Sequence, residues 1–202
     1  MSIKSMELDD VTLKRIKRQY EDSIALPEKK PAHTFIVCPI GTVGSGKTTV
    51  MKPLAKRLGL VCISGDEIRK ILKKAGYGWD RVRELGTSLV QKYARDGYGI
   101  AIDADSLGRS QNLKEFSDKT GIPLFWIHIN PPEAFIIEKL KNYVGPSIFE
   151  SNEAVIKNYR ESAKRHREHG LDFPFICTLD TSRENLAHSI EVCAQKIAEA
   201  MR

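Results

Sequence analysis

The sequence predicts an α/β fold, a parallel sheet covered by helices on both faces, on two observations. From His33 onward, short and nearly continuous apolar runs alternate with stretches of helical periodicity, the signature of strands buried on both sides. A glycine-rich turn, Gly41-Thr-Val-Gly-Ser-Gly46-Lys47-Thr48, falls where the first apolar run gives way to the first helical stretch. With 202 residues the chain is long enough to bury a real core, so neither disulfides nor a structural metal is needed.

Taken in order, residues 1–32 stand apart as an amphipathic helical extension. Asp10 or Thr12 is positioned to cap a short helix whose Leu13, Ile16, Tyr20 and Ile24 recur at helical spacing, and Pro27 and Pro31 end it. The default expectation is packing on the main domain. Lys14, Arg15, Lys17 and Arg18 leave open docking to a second subunit or contact with nucleic acid. The domain proper, 33–202, offers five strands: Thr34–Ile40, Leu60–Ser64, Gly99–Ala104, Pro123–Asn130 and Phe173–Asp180. Between and after them, helices are expected at Lys47–Leu58, Asp66–Ala75, about Asp80 to Asp96, Leu113–Gly121, Pro132–Asn142, Glu153–His169 and Arg183–Met201.

Composition narrows the function classes. Against 26 acidic residues stand 32 lysines and arginines, a formal charge of +6, which favours polyanionic partners such as nucleotides or nucleic acid without choosing one. No apolar run of about 18 residues is present, and the opening MSIKSMELDD lacks the core of a signal peptide, so a cytoplasmic protein without a membrane partner is expected. Cys38, Cys62, Cys177 and Cys193 form no CxxC pair and read as reduced core residues. The five histidines, including His166 and His169 on a charged helix, read as surface residues without metal-ligand spacing.

The turn at 41–48 matches G-x-x-x-x-G-K-[ST] in full, a pattern that arises by accident in about one chain of this length in a hundred. Gly41, Gly44 and Gly46 permit backbone conformations closed to other residues, so the amides of Val43, Gly44, Ser45, Gly46, Lys47, Thr48 and Thr49 can turn inward on a phosphate. The helix beginning near Lys47 adds its positive end, Lys47 reaches the β- and γ-phosphates, and the Thr48 hydroxyl is placed for Mg²⁺. The loop therefore predicts a bound nucleoside triphosphate.

The acceptor side is expected at the end of the second strand. Asp66 lies 19 residues after Lys47, and a right-handed β-α-β connection puts it at the same edge of the sheet. A carboxylate there accepts a hydroxyl proton, and Arg69, one helical turn on, neutralises phosphate charge. The plainer alternative makes Asp66 a helix N-cap and Arg69 its surface partner. Asp103 ends the buried third strand in the manner of a Mg²⁺-holding carboxylate.

The motifs GTVGSGKT, SGDEIRK and GIAIDADS together resemble the P-loop kinase group that includes polynucleotide 5′-hydroxyl kinases, chloramphenicol phosphotransferase-like enzymes and zeta-toxin-like kinases. The resemblance covers about residues 34–181. It implies a P-loop NTPase fold with strand order 2-3-1-4-5 and a small lid, ATP and Mg²⁺ as cofactors, Asp66 as general base and Arg69 as a phosphate or substrate contact. It also implies that the loop after the fifth strand borders the adenine. Where the resembled group commonly reads Asp-Ala-Thr-Asn, this chain has Asp103-Ala104-Asp105-Ser106. Asp105 is thus either a second acid of the acceptor or metal site, or a loop acid capping the next helix. Arg109 is close enough in sequence to reach the acceptor.

The group usually carries arginines in its lid, which spans about 139–169 here. This chain instead has Lys139-Leu-Lys141-Asn142-Tyr143, leaving Lys139, Arg160, Arg165 or Arg167 to supply charge, with Tyr143–Asn152 as a mobile cover. The expected activity is transfer of the γ-phosphoryl group of ATP to a hydroxyl, with a polynucleotide 5′-hydroxyl as the first candidate. The alternatives are a small-molecule or nucleotide-sugar kinase of the same fold and a nucleotide-dependent switch with little turnover.

Overall fold

The computed structural model describes residues 8–143 and 151–202. Five parallel strands form one sheet: β1 (Ile36–Ile40), β2 (Val61–Ser64), β3 (Ile100–Asp103), β4 (Leu124–Ile129) and β5 (Phe175–Leu179). Their spatial order is β2-β3-β1-β4-β5, the arrangement of a P-loop NTPase. The register sets Ser64 of β2 opposite Asp103 of β3, and Ile40 of β1 opposite His128 of β4. The carboxyl ends of β1, β2, β3 and β4 therefore meet along one edge, where the next residues in the chain are Gly41, Gly65, Ala104 and Asn130.

Eight helices surround the sheet among the described residues: α1 (Asp10–Ser23), α2 (Lys47–Leu58), α3 (Gly65–Lys74), α4 (Val82–Arg95), α5 (Ser110–Thr120), α6 (Glu133–Lys141), α7 (Asn152–His169) and α8 (Leu186–Ala200). Strand alternation divides the core. Ile36, Cys38 and Ile40 of β1 face a cluster built with Tyr20, Ile68, Leu85 and Phe116 of α1, α3, α4 and α5. Val37 faces the opposite cluster with Leu54 of α2 and Ile190 of α8. A smaller cluster joins α6 to α7 through Ile136, Leu140, Val155 and Tyr159.

The α1 helix packs on the domain. Ile16 and Tyr20 are buried, and the Tyr20 hydroxyl accepts the Ser64 N–H at 2.7 Å while lying 3.4 Å from the Ser64 carbonyl. Arg81 fastens the other end, pairing with Asp10 at 2.8 Å and donating to the Leu8 carbonyl. The cap of this helix is neither Asp10 nor Thr12 but Asp9, whose carboxylate accepts from the Thr12 amide at 2.6 Å.

Other boundaries differ for local reasons. Each strand begins one or two residues later than its apolar run, although the flanking residues still join the ladder: Pro123 O accepts from Ile36 N and Gly99 O from Val61 N. After β5, Asp180 turns the chain by accepting from both the amide and the hydroxyl of Ser182, and this delays α8 from Arg183 to Leu186. A single 3₁₀ turn at Leu107–Arg109 leads into α5, which starts three residues before the expected Leu113. Residues 144–150, the body of the expected cover at Tyr143–Asn152, lie outside the described residues. Among the described residues no helix is long and apolar enough to cross a membrane.

Candidate active site

The turn between β1 and α2 is built as a cradle. Gly44 and Gly46 take φ of 79° and 89°, a region that a side chain makes costly, and Gly46 serves as the left-handed N-cap of α2. Gly41 is different: its φ is ordinary, and what requires glycine is space. A Cβ there would stand 2.7 Å from Ser45 Oγ and 2.8 Å from the Ile129 carbonyl. So one of the three glycines is set by close approach and two by backbone conformation. Ile136 and Leu140 of α6 press on Gly44, and Thr181, after β5, donates its hydroxyl to the Ser45 carbonyl at 2.8 Å. Ser45 is itself fully buried, and its hydroxyl has no partner.

Lys47 folds back over this turn, its ammonium donating to the carbonyls of Gly41 (3.0 Å) and Thr42 (2.7 Å). Burial lowers its pKa, and the charges of Asp105, Asp66 and Asp103 oppose the drop. Those three acids thus lie within electrostatic reach of one ammonium. Thr48, beside it, donates to Asp103 Oδ1 at 2.8 Å.

Asp103 is buried, and its Oδ2 has no hydrogen-bond partner. Burial raises its pKa against the pull of the Thr48 hydroxyl, while the charge of Asp66 adds to the rise. A hydroxyl and a carboxylate with one orphaned oxygen form a hard-oxygen donor set, and they fit Mg²⁺. Thr48 and Asp103 could together hold such an ion.

Asp66 is not the cap of α3. Ser64 caps that helix through its hydroxyl, which lies 3.5 Å from the Glu67 amide. Asp66 instead projects from the first turn with 55% of its side chain exposed, joined to Arg69 Nη1 at 2.7 Å. The capping role that competed with a functional one thus belongs to its neighbour.

Asp105 resolves differently again. One oxygen faces the amides of Gly41 (3.3 Å) and Leu107 (3.4 Å), and the other meets His166 Nε2 at 3.1 Å. Burial raises its pKa, but the His166 hydrogen bond and the charge of Lys47 outweigh that and hold the carboxyl below its ordinary range. Asp105 therefore ties the phosphate-binding turn to α7 while also steadying the turn that follows β3. His166, expected on the surface, is only 7% exposed. A lone histidine on a charged helix gives no sequence signal for this contact, because its partner lies 61 residues away.

A cavity of about 350 Å³ opens between the first residues of the turn and α7, lined in part by Gly41, Thr42, His128, His166 and Arg167. Lys139, Arg160 and Arg165 are exposed and do not line it. Arg109, an acceptor-side candidate, is buried at 8% exposure.

Comparison with known proteins follows the geometry. A family model described as an AAA domain, AAA_33, matches residues 36–166. No curated protein matches the chain. Among solved structures, the same fold recurs in the APS kinase CysC of Mycobacterium tuberculosis in complex with AMPPNP and APS. That match has 18% identity and a TM-score of 0.54, covering 85% of this chain and 99% of that one. A gluconokinase from Sinorhizobium meliloti matches at 15% identity and a TM-score of 0.54, covering 86% and 97%. A structure from the PezAT toxin-antitoxin system of Streptococcus pneumoniae matches at 16% identity and a TM-score of 0.57, covering 100% and 99%.

Proposed function

The chain belongs to the AAA domain family AAA_33, and on that premise we propose that it is an ATP-dependent kinase that phosphorylates an alcohol. Residues 33–202 are taken as the kinase unit and 1–32 as an extension whose helix α1 packs on it. The observation that carries the reading is that Lys47, Asp66 and Asp103 stand at the carboxyl ends of β1, β2 and β3, which adjoin along one sheet edge, with Thr48 bonded to Asp103. The triphosphate tail lies in the turn at 41–48, against inward amides and the start of α2.

In the reaction, Asp66 accepts the proton of the acceptor hydroxyl as its oxygen forms a bond to the γ-phosphorus. The bond from that phosphorus to the β–γ bridging oxygen breaks, and its electron pair leaves on ADP. Lys47 neutralises charge on the β- and γ-oxygens, and Arg69 orients Asp66 through the 2.7 Å pair while facing the acceptor. Mg²⁺, when bound, supplies further neutralisation of the phosphate oxygens; Thr48 and Asp103 hold it. The kinase names of the solved structures agree with this reading: one binds AMPPNP and APS, and another is a gluconokinase.

A polynucleotide 5′-hydroxyl is the first acceptor candidate, supported by the Asp66–Arg69 pair and the net charge of +6. Small alcohols and sugar nucleotides are the alternatives. A screen with γ-labelled ATP across nucleic-acid ends, nucleosides, sugar nucleotides and small alcohols tests the reading. Label is expected on one acceptor class in wild-type protein and on none in Asp66→Asn. Label that appears only as inorganic phosphate with every acceptor would overturn the kinase assignment.

A further inference from the structure

Sequence spacing pairs none of the four cysteines, but the fold brings two of them together. β5 ends the sheet, beside β4. Trp126 of β4 pairs with Phe175, and the next residue, Ile127, pairs with Cys177, so Ile176 is an extra residue on β5. In a regular strand Phe175 and Cys177 would share a face. The bulge turns them apart. Phe175 packs with Trp126 on one side of the sheet, and Cys177 joins the cluster of Ile127 and of Cys193 from α8 on the other.

There the Cys193 thiol donates a hydrogen bond to the Cys177 sulfur. Cys193 is fully buried, whereas Cys177 is only partly buried and is followed by the exposed Thr178. A small reagent therefore reaches Cys177 from the sheet edge, with Cys193 behind it. The hydrogen bond draws the Cys177 thiol below its ordinary pKa against burial, and the charge of Lys196, one turn beyond Cys193 on α8, adds to the drop. The same bond, together with burial, pushes Cys193 up. The pair is thus asymmetric: an accessible sulfur that ionises readily meets a buried one that keeps its proton. Cys38 and Cys62 differ from Cys177, since burial raises both.

We propose that Cys177 is a peroxide-reactive site and that Cys193 resolves it, closing a disulfide between β5 and α8. The Cys177 thiolate attacks one oxygen of hydrogen peroxide; an S–O bond forms, the O–O bond breaks, and hydroxide leaves to take up a proton. The sulfur of Cys193 then attacks the sulfenic sulfur; the S–S bond forms, the S–O bond breaks, and the hydroxyl leaves as water with the Cys193 proton. Two thiols are oxidised, and one peroxide is reduced to two waters. The sulfurs close from hydrogen-bond separation to about 2.0 Å, a shift that falls on a bulged strand at the edge of the sheet. The bond fastens to α8 the strand that leads to Thr181, whose hydroxyl holds the Ser45 carbonyl of the phosphate-binding turn. None of this depends on phosphoryl transfer or on the acceptor.

The test is oxidation of the full chain by a small excess of hydrogen peroxide, followed by alkylation under denaturing conditions and mass spectrometry of the intact protein and its peptides. Wild-type protein is expected to lose two hydrogens and to keep two of its four thiols open to alkylation. Its peptide map is expected to show one pair joined through Cys177 and Cys193, and dithiothreitol to restore all four thiols. Cys193→Ala is expected to stop at a sulfenic acid on Cys177, trapped by dimedone, and Cys177→Ser to leave Cys193 unmodified. The wild-type map decides the pairing even where a variant does not fold. Four alkylatable thiols after peroxide, or a disulfide mapped to any other pair, would overturn the proposal. A sulfenic acid on Cys177 of the wild type with no disulfide would overturn the role of Cys193.

Discussion

Lys47 is the residue on which the site's charges converge: its ammonium donates to two carbonyls of its own turn and feels three carboxylates. A triphosphate that enters the turn exchanges those carbonyl bonds for stronger, charge-assisted ones. Lys47→Ala is therefore expected to weaken ATP binding about tenfold or more, measured by calorimetry, and unchanged affinity would contradict the assignment. Gly46 carries a different demand. Its φ of 89° and the Thr181 methyl 2.9 Å from its Cβ position leave no room for a side chain. Gly46→Ala should cost about 1–3 kcal/mol of stability in chemical denaturation. A loss within experimental error would show that the turn relaxes more freely than its packing indicates.

At the scale of elements, α1 and α7 each reach the site through one side chain. Tyr20 of α1 binds the peptide of Ser64, immediately before Gly65 and Asp66, so the extension buttresses the strand end from which the candidate base projects. Removing the hydroxyl leaves a buried amide without its partner, and Tyr20→Phe should destabilise the protein by about 1–3 kcal/mol, read from denaturant midpoints. An unchanged midpoint would mean that the packing of Ile16 and Tyr20 carries the attachment alone.

On the other side, His166 of α7 and Asp105 link a helix of the expected lid to the Gly41 amide. His166→Ala should speed hydrogen exchange at Gly41 and along α7 while leaving α1 unaffected; uniform exchange across the protein would contradict such a local link. Periodicity and the motif disclosed all five strands, and the α2 span Lys47–Leu58 agrees to the residue despite Pro53. They did not disclose Tyr20–Ser64 or Asp105–His166. Pairs 44 and 61 residues apart arise from how layers stack, which no local pattern encodes.

Over the whole molecule, the order β2-β3-β1-β4-β5 explains why residues scattered from 41 to 105 share one edge. A motif with a known spacing predicts this because the right-handed crossovers leave little topological choice. The surroundings of Asp66 were less legible. Arg69 and Arg109 stood near recognisable motifs, whereas Arg83 lies in an ordinary amphipathic helix and only the fold brings it against Gly108.

The claim on which the rest depends is that Lys47 and Asp66 act on the same phosphoryl group from opposite sides. Single-turnover transfer of labelled γ-phosphate by Asp66→Asn, with ATP affinity measured on the same protein, tests it most directly. Transfer is predicted to fall about 10²–10⁴-fold with ATP affinity nearly unchanged. Transfer at the wild-type rate would contradict the account.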